Sequence, residues 1–471
     1  MIKTALTYDD VLLVPQRSSI KSRSEVNTST KLSKNINLKI PLISANMDTV
    51  TESAMAIALA QAGGIGIIHR FCASKKQAQE VQKVKRKQNV IITKPFTIES
   101  YKTLKELKEK MTEVNCHSFL VSDNGEKLLG IITPRDIVFS QNKNTLVKNL
   151  MTPYNKLITA KPHISIAEAK EVLQRYKIEK LPLIDKYSNI QGLITEKDIV
   201  NNFNNIQASK DSKGRLLVGA ALGTKDDFLE RAETLIKEDV DVLVLDIAHG
   251  HSSLALEAIK KLKNKYPEIE LIGGNIATAQ GAKDLIKAGV DAVKVGIGPG
   301  SICTTRITTG FGVPQLTALL NVAPLCQKYK IPCIADGGIK QSGDIVKALA
   351  AGSHSVMIGG QFTGTEESPG PTINYKGRQY KISRGMASLT ATLSRPQASE
   401  KINEITPEGI EARVPYKGPV QNTINQLLGG LKSGMSYGNA QTLEELRKNA
   451  QFIRITTAGN KESSAHDNDV L

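Results

Sequence analysis

Among the side chains that can do chemistry, one thiol is set apart by its neighbours. Cys303 lies in Gly296-Ile-Gly-Pro-Gly-Ser-Ile-Cys-Thr-Thr-Arg306, with a hydroxyl before it at Ser301 and a permanent cation after it at Arg306. Glycines let a backbone approach a bulky anionic ligand, and the N–H groups exposed in such turns attract phosphate. Positive charge nearby enriches the thiolate, the form that attacks carbon. A cysteine simply buried in a tight turn is the competing reading. The hydroxyl, the cation and the glycines around this one favour a nucleophile.

Such a turn needs a scaffold. From about Lys213 onward, short apolar runs alternate with helical patterns. The runs are Val240–Asp246, Leu271–Asn275, Ala292–Gly296, Pro332–Asp336 and Ser355–Gly360, and the helical stretches Leu254–Lys265, Ala279–Ala288 and Gly343–Ala351 separate most of them. Continuous apolar strands between amphipathic helices mean parallel sheet built from βα units. The runs close on Asp246, Asn275, Gly296, Asp336 and Gly359, polar or small residues that read as one rim. A (β/α)8 barrel gathers its site at those C-terminal strand ends, whereas an open doubly wound sheet has one crevice and needs a GxGxxG turn that is missing here. The α/β fold expected is the barrel.

An internal repeat interrupts it. Phe119–Val138 aligns without gaps to Leu181–Val200, sharing Gly-Ile/Leu-Ile-Thr-x-x-Asp-Ile-Val, and a helical pattern precedes each copy at Leu104–Val114 and Ala167–Tyr176. The repeat resembles a tandem pair of cystathionine-β-synthase (CBS) domains, a family that binds adenine or guanine nucleotides between its repeats. The resemblance implies ribose contacts from Thr133 and Asp136 and from Thr195 and Asp198. The same residues can serve as helix caps, and both readings stand. The expected domains are residues 1–88 and 207–471 for the two parts of the barrel and 89–206 for the inserted regulatory pair.

Composition limits the function. The chain has 471 residues and a net charge of +16. Its lysines are spread along helices, and aromatics make up only 4%, so stacking platforms for single-stranded nucleic acid are scarce. A solvated basic surface or small anionic substrates account for the charge better than nucleic acid does. Cys72, Cys116, Cys303, Cys326 and Cys333 show neither CxxC nor metal-ligand spacing, and His249 and His251 lack further ligands. With no signal-peptide layout and no membrane-length apolar run, a cytoplasmic protein is expected.

The Cys303 turn, Leu6-Thr-Tyr-Asp-Asp-Val-Leu-Leu-Val-Pro15, Asn46-Met-Asp-Thr-Val50, Ile334-Ala-Asp-Gly-Gly338 and Gly385-Met386 together resemble the IMP dehydrogenase/GMP reductase family over nearly the whole chain. The resemblance implies an oxidoreductase in which Cys303 attacks C2 of a purine 5′-monophosphate, with Thr305 and Glu408 moving protons. It places the phosphate on Ser301, Gly338, Gly359 and Gly360, the ribose on Asp336, and the base beside Met386 and Glu408. It further implies NADP or NAD against Asp246, Asn275 and Gly296. A potassium ion is implied on the carbonyls of Gly298, Gly300 and Cys303, completed by Glu462, Ser463 and Ser464 of a neighbour in a homotetramer. The tail beyond Gly459, loose by composition, would then be ordered.

Both enzymes of the family share the thiol and the hydride step. The dehydrogenase then hydrolyses its thioimidate with an Arg-Tyr pair on a mobile flap, and the reductase expels ammonia. Between Met386 and Glu408 no Arg-Tyr occurs, and Arg395 is followed by Pro396, which fixes φ and carries no phenol. Asn46, Gly360 and Ser383 also resemble the reductase. Thr51-Glu52, His249-Gly-His251, Glu408-Gly-Ile-Glu411, the CBS pair and the tail resemble bacterial dehydrogenase, but they belong to the shared scaffold. The missing acid–base pair decides the expectation for GMP reductase. IMP dehydrogenase is the alternative, and a weakly catalytic nucleotide-sensing protein is a third reading.

Overall fold

Eight short strands close into an all-parallel barrel in the computed structural model, which describes residues 2–87, 91–92, 95–114, 116–140, 142–204, 207–224, 227–393 and 406–463. The strands are β1 (Leu42–Ser44), β2 (Ile65–Ile68), β3 (Val218–Leu222), β4 (Val242–Asp246), β5 (Glu270–Ile276), β6 (Ala292–Val295), β7 (Cys333–Asp336) and β8 (Ser355–Ile358). Each pairs with its neighbour in sequence, and β8 closes on β1. The five apolar runs are β4 to β8. They are short and continuous because both faces are covered.

Inside, Ile43, Ile65, Ile67, Val242, Val244, Ile272, Ile334 and Met357 fill the barrel. Outside, Leu243, Leu245, Leu271, Val293 and Val356 meet the helices α1 (Ser53–Ala62), α2 (Ser74–Lys87), α3 (Phe228–Lys237), α4 (Ser253–Lys265), α5 (Ala279–Ala288), α6 (Gln315–Lys328), α7 (Ser342–Ala350) and α8 (Val420–Tyr437). Each such side chain, fully buried, contributes about 1.5–3 kcal/mol. The helix ends follow from sequence. Thr278 accepts the Gly281 N–H to start α5, and Gly289 ends it at φ +109°, a conformation that disfavours side chains. No helix among the described residues is long and apolar enough to cross a membrane.

Residues Gln88–Ile206 form a second compact unit, and Met1–Lys87 with Gln207–Leu471 form the first. Within the second unit the repeat is structural. Helix Leu104–Glu113 precedes the antiparallel strands Phe119–Val121 and Gly130–Ile132, and helix Ile166–Tyr176 precedes Lys180–Ile184 and Ile190–Thr195. Each half buries its own small core, around Leu107 and Phe119 in one and Leu173 and Leu181 in the other.

Candidate active site

A cavity of about 260 Å³ opens where the barrel strands end, and the polar strand ends surround it. Cys303 enters it from the turn after β6. The turn is braced by Arg306, whose Nε donates to the Ile297 carbonyl at 3.2 Å and whose Nη2 donates to that of Val313 at 2.6 Å. A Cβ on Gly298 or Gly312 would strike the Arg306 side chain at 2.6 or 2.5 Å, so this arginine folds the turn as well as lying within electrostatic reach of the thiol. Burial lowers its own pKa.

The thiol is the first member of a hydrogen-bonded chain. Cys303 Sγ donates to Thr305 Oγ1 at 3.2 Å, and Thr305 Oγ1 donates to Glu408 Oε2 at 2.7 Å. Glu408 comes from far along the sequence and is held there by backbone. Thr304 N–H donates to the Glu408 carbonyl at 2.9 Å, Ile410 N–H to that of Ile302 at 3.0 Å, and Glu408 N–H to that of Ala387 at 2.9 Å. Those bonds tie the Cys303 turn, the Glu408 segment and the Gly385–Ala387 corner into one assembly. Met386 borders the cavity from that corner.

The same cavity is lined by a charge network around Lys294. Lys294, 2% exposed and projecting from β6, donates to Asp336 Oδ2 at 2.7 Å and to Asn275 Oδ1. Its Nζ lies 3.9 Å from Asp246 Oδ1, and Arg70 Nε lies 3.8 Å from Asp246 Oδ2. Asn275 Nδ2 donates to Asp336 Oδ2 at 2.9 Å and to the Gly296 carbonyl at 2.8 Å. Two carboxylates are thus balanced by two cations, which is how charge survives burial. Lys294 and Arg70 escaped the sequence reading, although a lone lysine inside Ala292-Val-Lys-Val295 was a signal, since an unpaired buried ammonium is too costly.

Of the residues expected at the site, Cys303, Thr305, Glu408, Asp336, Met386, Asp246, Asn275, Gly296, Gly298 and Gly300 line this cavity. Ser301, Gly338, Gly359 and Gly360 form an adjoining corner instead. A Cβ on Gly360 would meet Ser301 Oγ at 3.1 Å, and one on Gly338 would meet the Tyr8 ring at 3.3 Å. Among the described residues, the N–H groups of Gly338, Gly360 and Gln361 have no backbone acceptor, the arrangement that receives anions. Glu462 and Ser463 end the helix Thr457–Glu462, where Ser463 Oγ donates back to the Gly459 carbonyl at 2.9 Å, and neither lines the cavity. Ser464, Arg395 and Pro396 lie outside the described residues.

His251 Nε2 pairs with Asp284 Oδ2 at 3.0 Å, an ordinary loop anchor. In the second unit each Thr-x-x-Asp pair is bonded within itself, and Asp136 Oδ1 also accepts from Thr152 Oγ1 at 3.2 Å. The N–H and Oγ1 of Thr133 both donate to Asp136 Oδ2 at 2.7 Å, and Thr195 Oγ1 donates to Asp198 Oδ2 at 2.6 Å. Each pair caps the helix that follows it.

A closed barrel with a thiol relay and a charge-balanced pocket at its C-terminal mouth has the architecture of a (β/α)8 enzyme. The family model "IMP dehydrogenase / GMP reductase domain" matches residues 5–466, and the chain belongs to that family of NAD(P)-dependent oxidoreductases of purine nucleotides. Inosine-5′-monophosphate dehydrogenase of Nitrosopumilus maritimus is 52% identical over 99% of this chain and 98% of its own. That of Aquifex aeolicus is also 52% identical, over 99% and 96%. Among solved structures, a cysteine-to-alanine variant of GMP reductase from Trypanosoma brucei, in complex with guanosine 5′-monophosphate, superposes with a TM-score of 0.91. It is 44% identical, with 99% of both chains covered.

Proposed function

We propose that this protein is a GMP reductase, converting GMP, NADPH and two protons into IMP, NADP⁺ and ammonium. The observation that carries the reading is the stretch between Met386 and Glu408, which supplies no Arg-Tyr pair to activate water. The relay Cys303–Thr305–Glu408 supplies what amine expulsion requires. The thiol proton passes through Thr305 to Glu408 as sulfur adds to C2. The same proton then reaches the departing amine, leaving a thioimidate on Cys303. A bound nicotinamide cofactor would supply the hydride that replaces the amine, after which sulfur would leave C2 and solvent protons would restore the thiol and complete ammonium. Asp336 would hold the ribose, and Ser301, Gly338, Gly359 and Gly360 the phosphate, fixing C2 near the sulfur. Asp246, with Asn275 and Gly296, would meet the cofactor.

IMP dehydrogenase is the second reading, favoured by the names of the 52% identical relatives. Under it Glu408, acting through Thr305, is the acid–base group on hand for water. Purified protein given GMP and NADPH should release ammonia and form IMP. Oxidation of IMP by NAD at normal turnover, with GMP untouched, would reverse the assignment. A purely nucleotide-sensing role has no use for an assembled thiol relay.

The second unit we read as a CBS pair spanning about residues 89–206 that takes adenine or guanine nucleotides near Thr133, Asp136, Thr195 and Asp198. A potassium ion would suit the carbonyls of Gly298, Gly300 and Cys303, which are uncharged oxygens in a tight turn. Glu462, Ser463 and Ser464 of a neighbouring copy in a homotetramer would complete its shell.

A further inference from the structure

Lys417 sits where no carboxylate explains it. Its Nζ donates to the carbonyl of Gly360 at 2.9 Å and to that of Gln361 at 3.0 Å. Among the described residues it forms no ion pair, and burial alone lowers its pKa. Elsewhere in the barrel unit Lys85, Arg215, Arg231 and Lys294 each have an aspartate partner, while Lys381 and Arg306, like Lys417, are held by backbone carbonyls. What distinguishes Lys417 among the carbonyl-held cations is the peptide it grips, which belongs to the Gly359–Gly360 turn beside Ser301.

The peptide it grips has a direction. In a trans peptide the carbonyl and the following N–H point opposite ways. An ammonium on the Gly360 carbonyl therefore aims the Gln361 N–H away from Lys417 and polarises it. That N–H and those of Gly360 and Gly338 have no backbone acceptor among the described residues. The Gly359 carbonyl is fixed too, accepting from Phe362 and Thr363 N–H at 3.0 and 2.9 Å, so the turn cannot easily rotate. The Ser301 hydroxyl faces the same corner, close to the space a Cβ on Gly360 would fill.

We propose that Lys417 is a positioning residue for the substrate's 5′-phosphate. It docks on the carbonyl side of the Gly360–Gln361 peptide, presents the N–H side to a dianionic phosphate, and adds an unneutralised positive charge behind it. This deepens the reading of Ser301, Gly338, Gly359 and Gly360 as the phosphate corner and rests on it, but it holds whether the enzyme reduces GMP or oxidises IMP.

The test compares nucleotide with nucleoside. Dissociation constants for GMP and guanosine, and for IMP and inosine, are measured on full-length protein, on Lys417→Met and on Lys417→Arg. Loss of the charge should weaken nucleotide binding on the order of tenfold and leave nucleoside binding unchanged. Lys417→Arg should recover most of the loss, and in turnover the change should fall on KM for the nucleotide with kcat nearly constant. Equal weakening of nucleotide and nucleoside, or no weakening of either, overturns the role. If wild-type protein holds nucleoside as tightly as nucleotide, the phosphate corner itself is misassigned, a failure visible before any variant is made.

Discussion

The barrel mouth and the Thr-x-x-Asp turns of the second unit use the same side chains in opposite ways. At the mouth, Cys303, Thr305 and Glu408 join residues about a hundred positions apart, and Lys294 binds side chains from separate strands. In the second unit, Asp136 and Asp198 each accept from a threonine three residues away, and Asp136 also accepts from Thr152, sixteen residues on. Pairs dominated by near neighbours end helices, whereas pairs brought together only by the fold, around a cavity, leave atoms for a ligand. A polar motif thus gains chemical meaning from the distance in sequence that its contacts span.

That contrast can be broken experimentally. The largest effect is expected at Glu408→Gln, which keeps the shape but cannot take the thiol proton. Turnover should fall about 10²–10⁴-fold, far more than any loss of nucleotide affinity, as removal of an acid–base group does. An unchanged kcat would show that the relay is decoration. Next is Lys294→Met, which leaves Asp336 and Asp246 without their shared cation. Thermal unfolding should show about 3 kcal/mol lost, the penalty for stranding a buried charge. Since both aspartates keep some solvent contact, the value belongs at the low end of such losses. A loss below 1 kcal/mol would mean the network is not coupled. The smallest effect belongs to Asp136→Ala and Asp198→Ala, each expected to cost about 1 kcal/mol as a lost cap and to leave kcat alone. If either instead abolished a response of activity to added purine nucleotides at unchanged melting temperature, the carboxylates would be ligand contacts and the contrast would narrow.

Much of this arrangement was legible in the residues. The apolar runs ending in Asp246, Asn275, Gly296, Asp336 and Gly359 announced a barrel rim because strands covered on both faces have no reason to be polar until they reach the mouth. The helix Ala279–Ala288 matched its reading to the residue, since Thr278 and Gly289 mark its ends chemically. The first three barrel strands were not read. β1 and β2 are brief apolar runs in an N-terminal segment that the repeat separates from the rest, and Gly219, Ala220 and Ala221 give β3 little strand character. Lys294 was missed for a different reason. Its partners Asp336, Asn275 and Asp246 come from other strands, and spacing along the chain carries no trace of that meeting. Arg306 was read as a charge for the thiol, while its bonds to Ile297 and Val313 make it a brace for the turn as well, a role visible only once the turn is folded.

Alkylation of the five thiols by iodoacetamide, followed residue by residue with mass spectrometry, tests the central claim most directly. Cys326 and Cys333 are fully buried, and burial raises the pKa of Cys72, so none of these three should compete. Cys303, partly exposed at the mouth, should label first and be protected by GMP or IMP. Labelling spread evenly over Cys72, Cys116 and Cys303, or selective labelling of Cys303 that neither nucleotide blocks, would contradict a nucleophile seated against a purine monophosphate.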